Sequence, residues 1–163
     1  MTSQTLRRSA VAFALVAFAA ASAQAQTANQ TVTFAVNAIN QIAFVGAPSL
    51  TITTAVAGSA PTSVTDASAT WAVTTNQTGA KITASLASNM PAGLTLSSSL
   101  AAPAGATTAG FQSLSTTGID LVTVITKIAQ GAMVVTYKLD ATAVAGVVAS
   151  STRVVTYTIS GGT

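Results

Sequence analysis

Apolar residues recur at every second position through much of this chain. From Thr31 to Gly46 the even positions carry Val32, Phe34, Val36, Ala38, Asn40, Ile42 and Phe44. Such alternation predicts a β-strand with one face buried. The stretch is sixteen residues long, which at ~3.3 Å per residue would reach roughly 50 Å, whereas an ordinary strand has about 5–6 residues. It must therefore bend near Asn37 to Asn40 and cross between sheets, or leave the domain and pair with a neighbouring molecule.

The same reading continues downstream. Leu50, Ile52 and Val56 keep period two after Pro48, and Gly58 to Asp66 reads as a polar loop. Ala69, Trp71 and Val73 share one face of the next strand. Asn76 to Gly79 is a short turn, and Ile82, Ala84 and Leu86 then alternate with Lys81, Thr83 and Ser85, so the two segments read as a β-hairpin. A short strand carries Leu94 and Leu96. Residues 97–118 are rich in Ser, Ala, Gly and Thr, and a loop of that length is either functional or mobile. Ile119 to Ile128 is apolar on both parities, as in a strand buried on both faces; its β-branched content favours strand over helix. Gln130-Gly131 reads as a turn into a strand with Met133, Val135, Tyr137 and Leu139 inward. After the small residues of Thr142 to Thr152, the last strand places Val155, Tyr157 and Ile159 on one face. About eight to ten antiparallel strands with turn signals at short spacing predict an all-β, two-sheet sandwich of immunoglobulin-like or jelly-roll-like kind, with a closed barrel as the alternative.

Residues 1–25 have the pattern of a secretory signal peptide. Arg7 and Arg8 precede the apolar run Ala10 to Ala21, and Ala23-Gln24-Ala25 forms a small-x-small cleavage site before Gln26. The run is short of the ~20 residues that span a bilayer, so no membrane span is expected after cleavage. That leaves residues 26–163 as a single sandwich domain, exported to the cell surface, the medium or the periplasm.

Composition narrows the chemistry. Charged residues make up 6% of the chain, with no His, Cys or Glu, against about 25% charged in an average soluble protein. Without Arg7 and Arg8, four bases face three acids and nothing clusters, so no nucleic-acid partner is expected. Without disulfides, the fold must rest on core burial and sheet pairing. Sparse charge also leaves little repulsion between copies, which favours a homo-oligomer or self-assembling protein.

Candidate catalytic groups are correspondingly few. A Ser or Thr nucleophile needs an activating base and an orienting acid, and Lys81, Lys127 and Lys138 stand in no Ser-x-x-Lys spacing. Asp66, Asp120 and Asp140 are scattered, which argues against a carboxylate pair or a calcium loop. Transition metals favour the His and Cys this chain lacks. We therefore expect no catalytic residue, no cofactor and no metal. Asp66 reads as a solvated turn residue, Trp71 as core, and Tyr137 and Tyr157 as packed neighbours whose hydroxyls reach rim partners. Asn29-Gln30-Thr31 and Asn76-Gln77-Thr78 match the glycosylation triplet, a chance match if the leader is bacterial. A Lys–Asn or Lys–Asp isopeptide cross-link is chemically available.

A leader ending AQA, the alternating segment QTVTFAVNAINQIAF and the closing strand RVVTYTIS together resemble secreted bacterial surface proteins of the pilin or fimbrial-subunit kind. The resemblance is architectural, spans most of the chain after the leader, and includes no specific motif. It implies an incomplete or exposed-edge sandwich completed by a strand from the next copy. The chain departs from the common fimbrial pattern in lacking a Cys pair, which counts against a chaperone-assembled pathway. The expected function is a non-enzymatic structural or adhesive subunit that self-associates through strand edges, with Val32, Phe34, Val36, Ala38, Ile42 and Phe44 as the assembly strand. The alternative is a secreted module binding a polysaccharide or other surface ligand through residues 97–118.

Overall fold

A computed structural model describes residues 25–163, and the expected leader, apart from Ala25, lies outside them. Val36–Thr163 forms one compact unit. Among the described residues the strands are β1 (Asn40–Val45), β2 (Val64–Thr75), β3 (Ala80–Leu86), β4 (Leu94–Leu100), β5 (Thr107–Thr108), β6 (Gln112–Ser113), β7 (Ile119–Ile125), β8 (Ile128–Ala141) and β9 (Val155–Ser160). They form two sheets, β1-β2-β8-β4-β6 and β5-β7-β3-β9, with every pairing antiparallel. This is an all-β, two-sheet antiparallel sandwich, not a closed barrel.

Period two explains the core. Trp71 and Val73 of β2, Leu100 of β4 and Val135 of β8 point inward from the first sheet; Ile82 and Ala84 of β3 and Leu121 and Ile125 of β7 do so from the second. All eight are essentially inaccessible to water. Removing each large apolar side chain from water stabilises the fold by about 1.5–3 kcal/mol, which is how a chain without disulfides holds together.

Five expected elements come out differently. The segment Thr31 to Gly46 is not one long strand, since only Asn40–Val45 is paired. In the stretch Leu50 to Val56 the alternation holds only at Leu50 and Ile52, half-buried between exposed neighbours, while Val56 is exposed; the stretch forms no strand, and Ala55 alone bridges Pro61. Alternation records which side chains face the protein, whereas a strand also needs a partner backbone. The predicted hairpin is instead a crossing between sheets. β2 pairs with β1 and β8, and β3 with β7 and β9. The turn's own backbone bonds to distant segments, with Gln77 O accepting from Lys127 N and Thr78 exchanging two bonds with Thr163. Facing each other across the core, Trp71 and Val73 and the β3 side chains can bury more surface than they would side by side.

Residues 97–118 are not one free loop, because they complete β4 and add the short edge strands β5 and β6, one to each sheet. Nor is Gln130-Gly131 a turn. It lies within β8, where the register against β2 shifts between Trp71 and Val73 and Ala132 takes φ +56°. The apparent turn signal is a β-bulge, at which an unpaired residue bends the strand. The actual reversal falls earlier, between β7 and β8, where Lys127 has φ +41°.

Candidate functional site

The six residues expected to form an assembly strand divide into two groups. Ile42 and Phe44 project inward from β1, and the Phe44 ring stacks on Tyr157 of β9 at 3.9 Å and on Trp71 of β2 at 5.9 Å. Phe44 thereby joins the first sheet to the second. Val32, Phe34, Val36 and Ala38 lie outside any strand and are exposed; the three larger side chains are 71%, 90% and 79% accessible. Isolated apolar residues on a surface are ordinary. Three in strict alternation on an unpaired, uncharged segment have the face pattern of a strand without its sheet.

The boundary between the groups is fixed by side-chain amides at the Thr75 end of β2. Asn76 Oδ1 accepts from Ile39 N at 2.8 Å, Asn76 Nδ2 donates to Asn37 O at 2.7 Å, and Thr75 Oγ1 donates to Asn40 Oδ1 at 2.6 Å. Asn40, an interruption in the apolar alternation, thus marks where sheet pairing begins. β1 and β9 are each the edge of their sheet on the same flank, six residues long and without a charged residue. Such edges lack the charge that blocks further pairing. The opposite edges, β5 and β6, are two residues each.

A second feature, which the sequence did not reveal, lies at the far end of β2. A cleft of about 730 Å³ is floored by the half-buried Leu94 of β4 and Leu139 of β8 and walled by Leu50, Ile52, Met90 and Val148. None of its lining residues is charged or aromatic. No strand of the second sheet lines it; two coils, residues 48–55 and 142–152, take that place. Among the described residues, Leu50 to Thr53 and Val147 to Arg153 make no backbone–backbone hydrogen bond. The first coil is attached through Ser49 N, which donates to Asp66 Oδ2 at 2.8 Å. The second is attached through Thr142 N, which donates to Gly93 O at 2.8 Å. Gly93 has φ +79°, and a Cβ there would meet Ala145 N at 2.5 Å. The alternation of Leu50 and Ile52 is the available sequence signal, and by itself it predicts an ordinary strand.

The polar groups have structural partners. Asp66 is not a turn residue: it sits at a bulge in β2, where bonds from Ser68 and from the Ser49 backbone hold its carboxyl below the usual range. The Ser63 hydroxyl donates to Asp140 and, with Lys138 alongside, keeps that carboxyl low as well. Trp71 is 1% exposed, and its Nε1 donates to Ala101 O at 3.1 Å. Tyr137 and Tyr157 meet from opposite sheets. Their hydroxyls lie 2.7 Å apart and Tyr157 also contacts Ser98 at 3.2 Å, so they pair with each other and not with the rim. Burial pushes both phenols above their ordinary range, Tyr157 far above. Lys81 and Asp120 approach to 3.0 Å across β3 and β7, but both side chains are 44% exposed and form a surface ion pair. Among the described residues there is no cluster of three metal-capable His, Cys, Asp or Glu side chains, and no helix is long and apolar enough to cross a membrane. Compared with known proteins, the chain matches no family model, no curated sequence and no solved structure.

Proposed function

We propose that this protein is a non-enzymatic, exported structural or adhesive subunit, of surface-filament type, that self-associates through β-strand edges. The observation carrying this reading is the exposed, alternating Val32, Phe34 and Val36 on a segment that belongs to no strand. Main-chain bonding to an open sheet edge supplies affinity in such pairing, and alternate side chains supply specificity. The uncharged edges of β1 and β9 offer no electrostatic obstacle. The test is deletion of residues 26–38 followed by size-exclusion chromatography and negative-stain imaging. The parent protein should give oligomers or filaments and the deletion a monomer; oligomers that persist in the deletion would count against this segment.

A saturable ligand site is the second reading, favoured by a cleft volume within the range of small-molecule pockets. Its lining has hydroxyls but no aromatic platform for a sugar ring. This reading predicts a monomer that gives signal on a glycan array.

A further inference from the structure

The large side chains of the cleft are of one chemical kind. Leu50, Ile52, Met90, Leu94, Leu139 and Val148 are aliphatic or thioether groups, and no lining residue carries a ring or a charge. Leu50 and Ile52 are half-buried, whereas the intervening Thr51 and the following Thr53 are exposed, so hydroxyls lie outside the apolar wall. Such a wall offers no platform for stacking a sugar or a base. It suits a flexible hydrocarbon chain, which gains by leaving water at every methylene, and the unbranched Met90 can adapt to its path. A volume of about 730 Å³ lies within the roughly 300–1,000 Å³ of pockets that enclose small organic ligands. Leu50 to Thr53 and Val147 to Arg153 make no backbone–backbone hydrogen bond among the described residues, so the rims can part without breaking a ladder.

One rim is charged. Arg153 follows the lining residue Thr152. Its Nε donates to Asn89 O at 3.1 Å, beside the lining Met90, and its Nη1 to Thr152 O at 2.8 Å. Those bonds fix the guanidinium between the two loops and leave Nη2 free to donate. Among the described residues Lys81 and Lys138 pair with Asp120 and Asp140, whereas Arg153 faces no carboxylate. The other unpaired cation, Lys127, is bonded through its backbone to Gln77, beyond the far end of β2. On the opposite coil, Asp66 holds the lining Ser49. An anionic head group is thus drawn to the Arg153 rim and repelled from the Ser49 wall.

Resting on the ligand-site reading above, we infer that the cleft takes a long-chain carboxylate, with its hydrocarbon chain over Leu94 and Leu139 and its head group at Arg153. Apolar contact supplies the affinity and Arg153 selects the anion.

The test is displacement of a fluorescent polyene fatty acid from the full-length protein by hexadecanoate, tetradecanoate, dodecanoate and hexadecan-1-ol, all below the concentrations at which they aggregate. Affinity should rise about fourfold per methylene until the cleft is full. R153Q should weaken hexadecanoate by about fivefold, the upper end for a solvent-accessible ion pair, and leave hexadecan-1-ol unchanged; R153K should recover the loss. V148W, on an exposed coil, should weaken acid and alcohol alike by filling the cleft. Every variant keeps the whole chain, so any difference arises at the cleft. Affinity independent of chain length, or equal losses for acid and alcohol in R153Q, would overturn the inference. So would binding to phosphatidylcholine vesicles without binding of monomeric hexadecanoate, which would make this face a membrane contact. A saturable signal on a glycan array with no acyl ligand bound would leave the ligand-site reading standing and refute the ligand class; no saturable binding of either kind would refute both.

Discussion

Phe44 is the side chain on which the attachment of β1 depends, and Phe44→Ala tests that directly. The ring is half-buried, so its transfer from water is worth less than the ~1.5–3 kcal/mol of a fully buried aromatic, about 1–2 kcal/mol here. Stacking on Tyr157 at 3.9 Å and on Trp71 at 5.9 Å, both within 13° of parallel, adds about 0.5–1.5 kcal/mol. The expected loss is about 2–3 kcal/mol. With a urea slope of about 1.5 kcal/mol per molar, the midpoint should fall by about 1.3–2 M. Trp71 is the sole tryptophan and is buried, so its fluorescence reports the core without interference. Phe44→Leu keeps most of the apolar area and loses the stacking, and should cost about 1 kcal/mol. A loss below about 0.5 kcal/mol for Phe44→Ala, at protein concentrations where only monomer is present, would mean that the stack does not couple the sheets.

Gly46→Ala should destabilise by about 1–3 kcal/mol in the same assay, because Gly46 has φ +122° and a Cβ there would lie 2.7 Å from the Ala69 backbone; a neutral result would show that β1 can leave the sheet by another path. Alkaline pH should weaken the fold through Tyr137 and Tyr157. Burial raises both phenols, so the unfolded chain ionises them near pH ~10 while the folded chain keeps its protons. Their contribution is complete below that pH and declines as pH rises above it. Urea midpoints across the range should fall less steeply in Y137F/Y157F, and equal slopes would exclude this cause. Asp66 and Asp140 work in the opposite direction: both carboxyls are lowered by hydrogen bonds, so what they contribute is present above the ordinary carboxylate range and lost as pH falls through their depressed values, visible as late-titrating NMR resonances. Lys81→Met should change stability by no more than about 0.5 kcal/mol, as for other exposed ion pairs; a loss above 1 kcal/mol in urea unfolding would point to a cross-link or a larger network.

Much of the core was legible because parity is local. Alternation alone turns Trp71, Val73, Ile82, Ala84, Met133, Val135 and Tyr137 inward, and all are buried. The candidate site was legible only in part. Val32, Phe34 and Val36 carry the same alternation as Ile42 and Phe44, yet the first three are exposed and the last two packed. Nothing in the period distinguishes them; the amides of Asn76 and the Asn40–Thr75 bond draw the line. Turn chemistry was the weaker guide. Asn76 to Gly79 has the residues of a hairpin turn and serves a crossing, and Gln130-Gly131 serves a bulge, because the conformations that glycine and amide side chains permit suit both uses.

By itself, the sequence determined an all-β chain and the inward faces of its central strands. It also determined the scarcity of charge that leaves two sheet edges unguarded. The tertiary structure alone decided which backbones pair, that Leu50 to Thr53 find no partner, and that the cleft they border lies at the opposite end from Asn37. The reason is the range of the interactions. A side chain's parity follows from two bonds of its own backbone, whereas a ladder partner is supplied by chain tens of residues away, and a missing one can be seen only after every other strand has been placed.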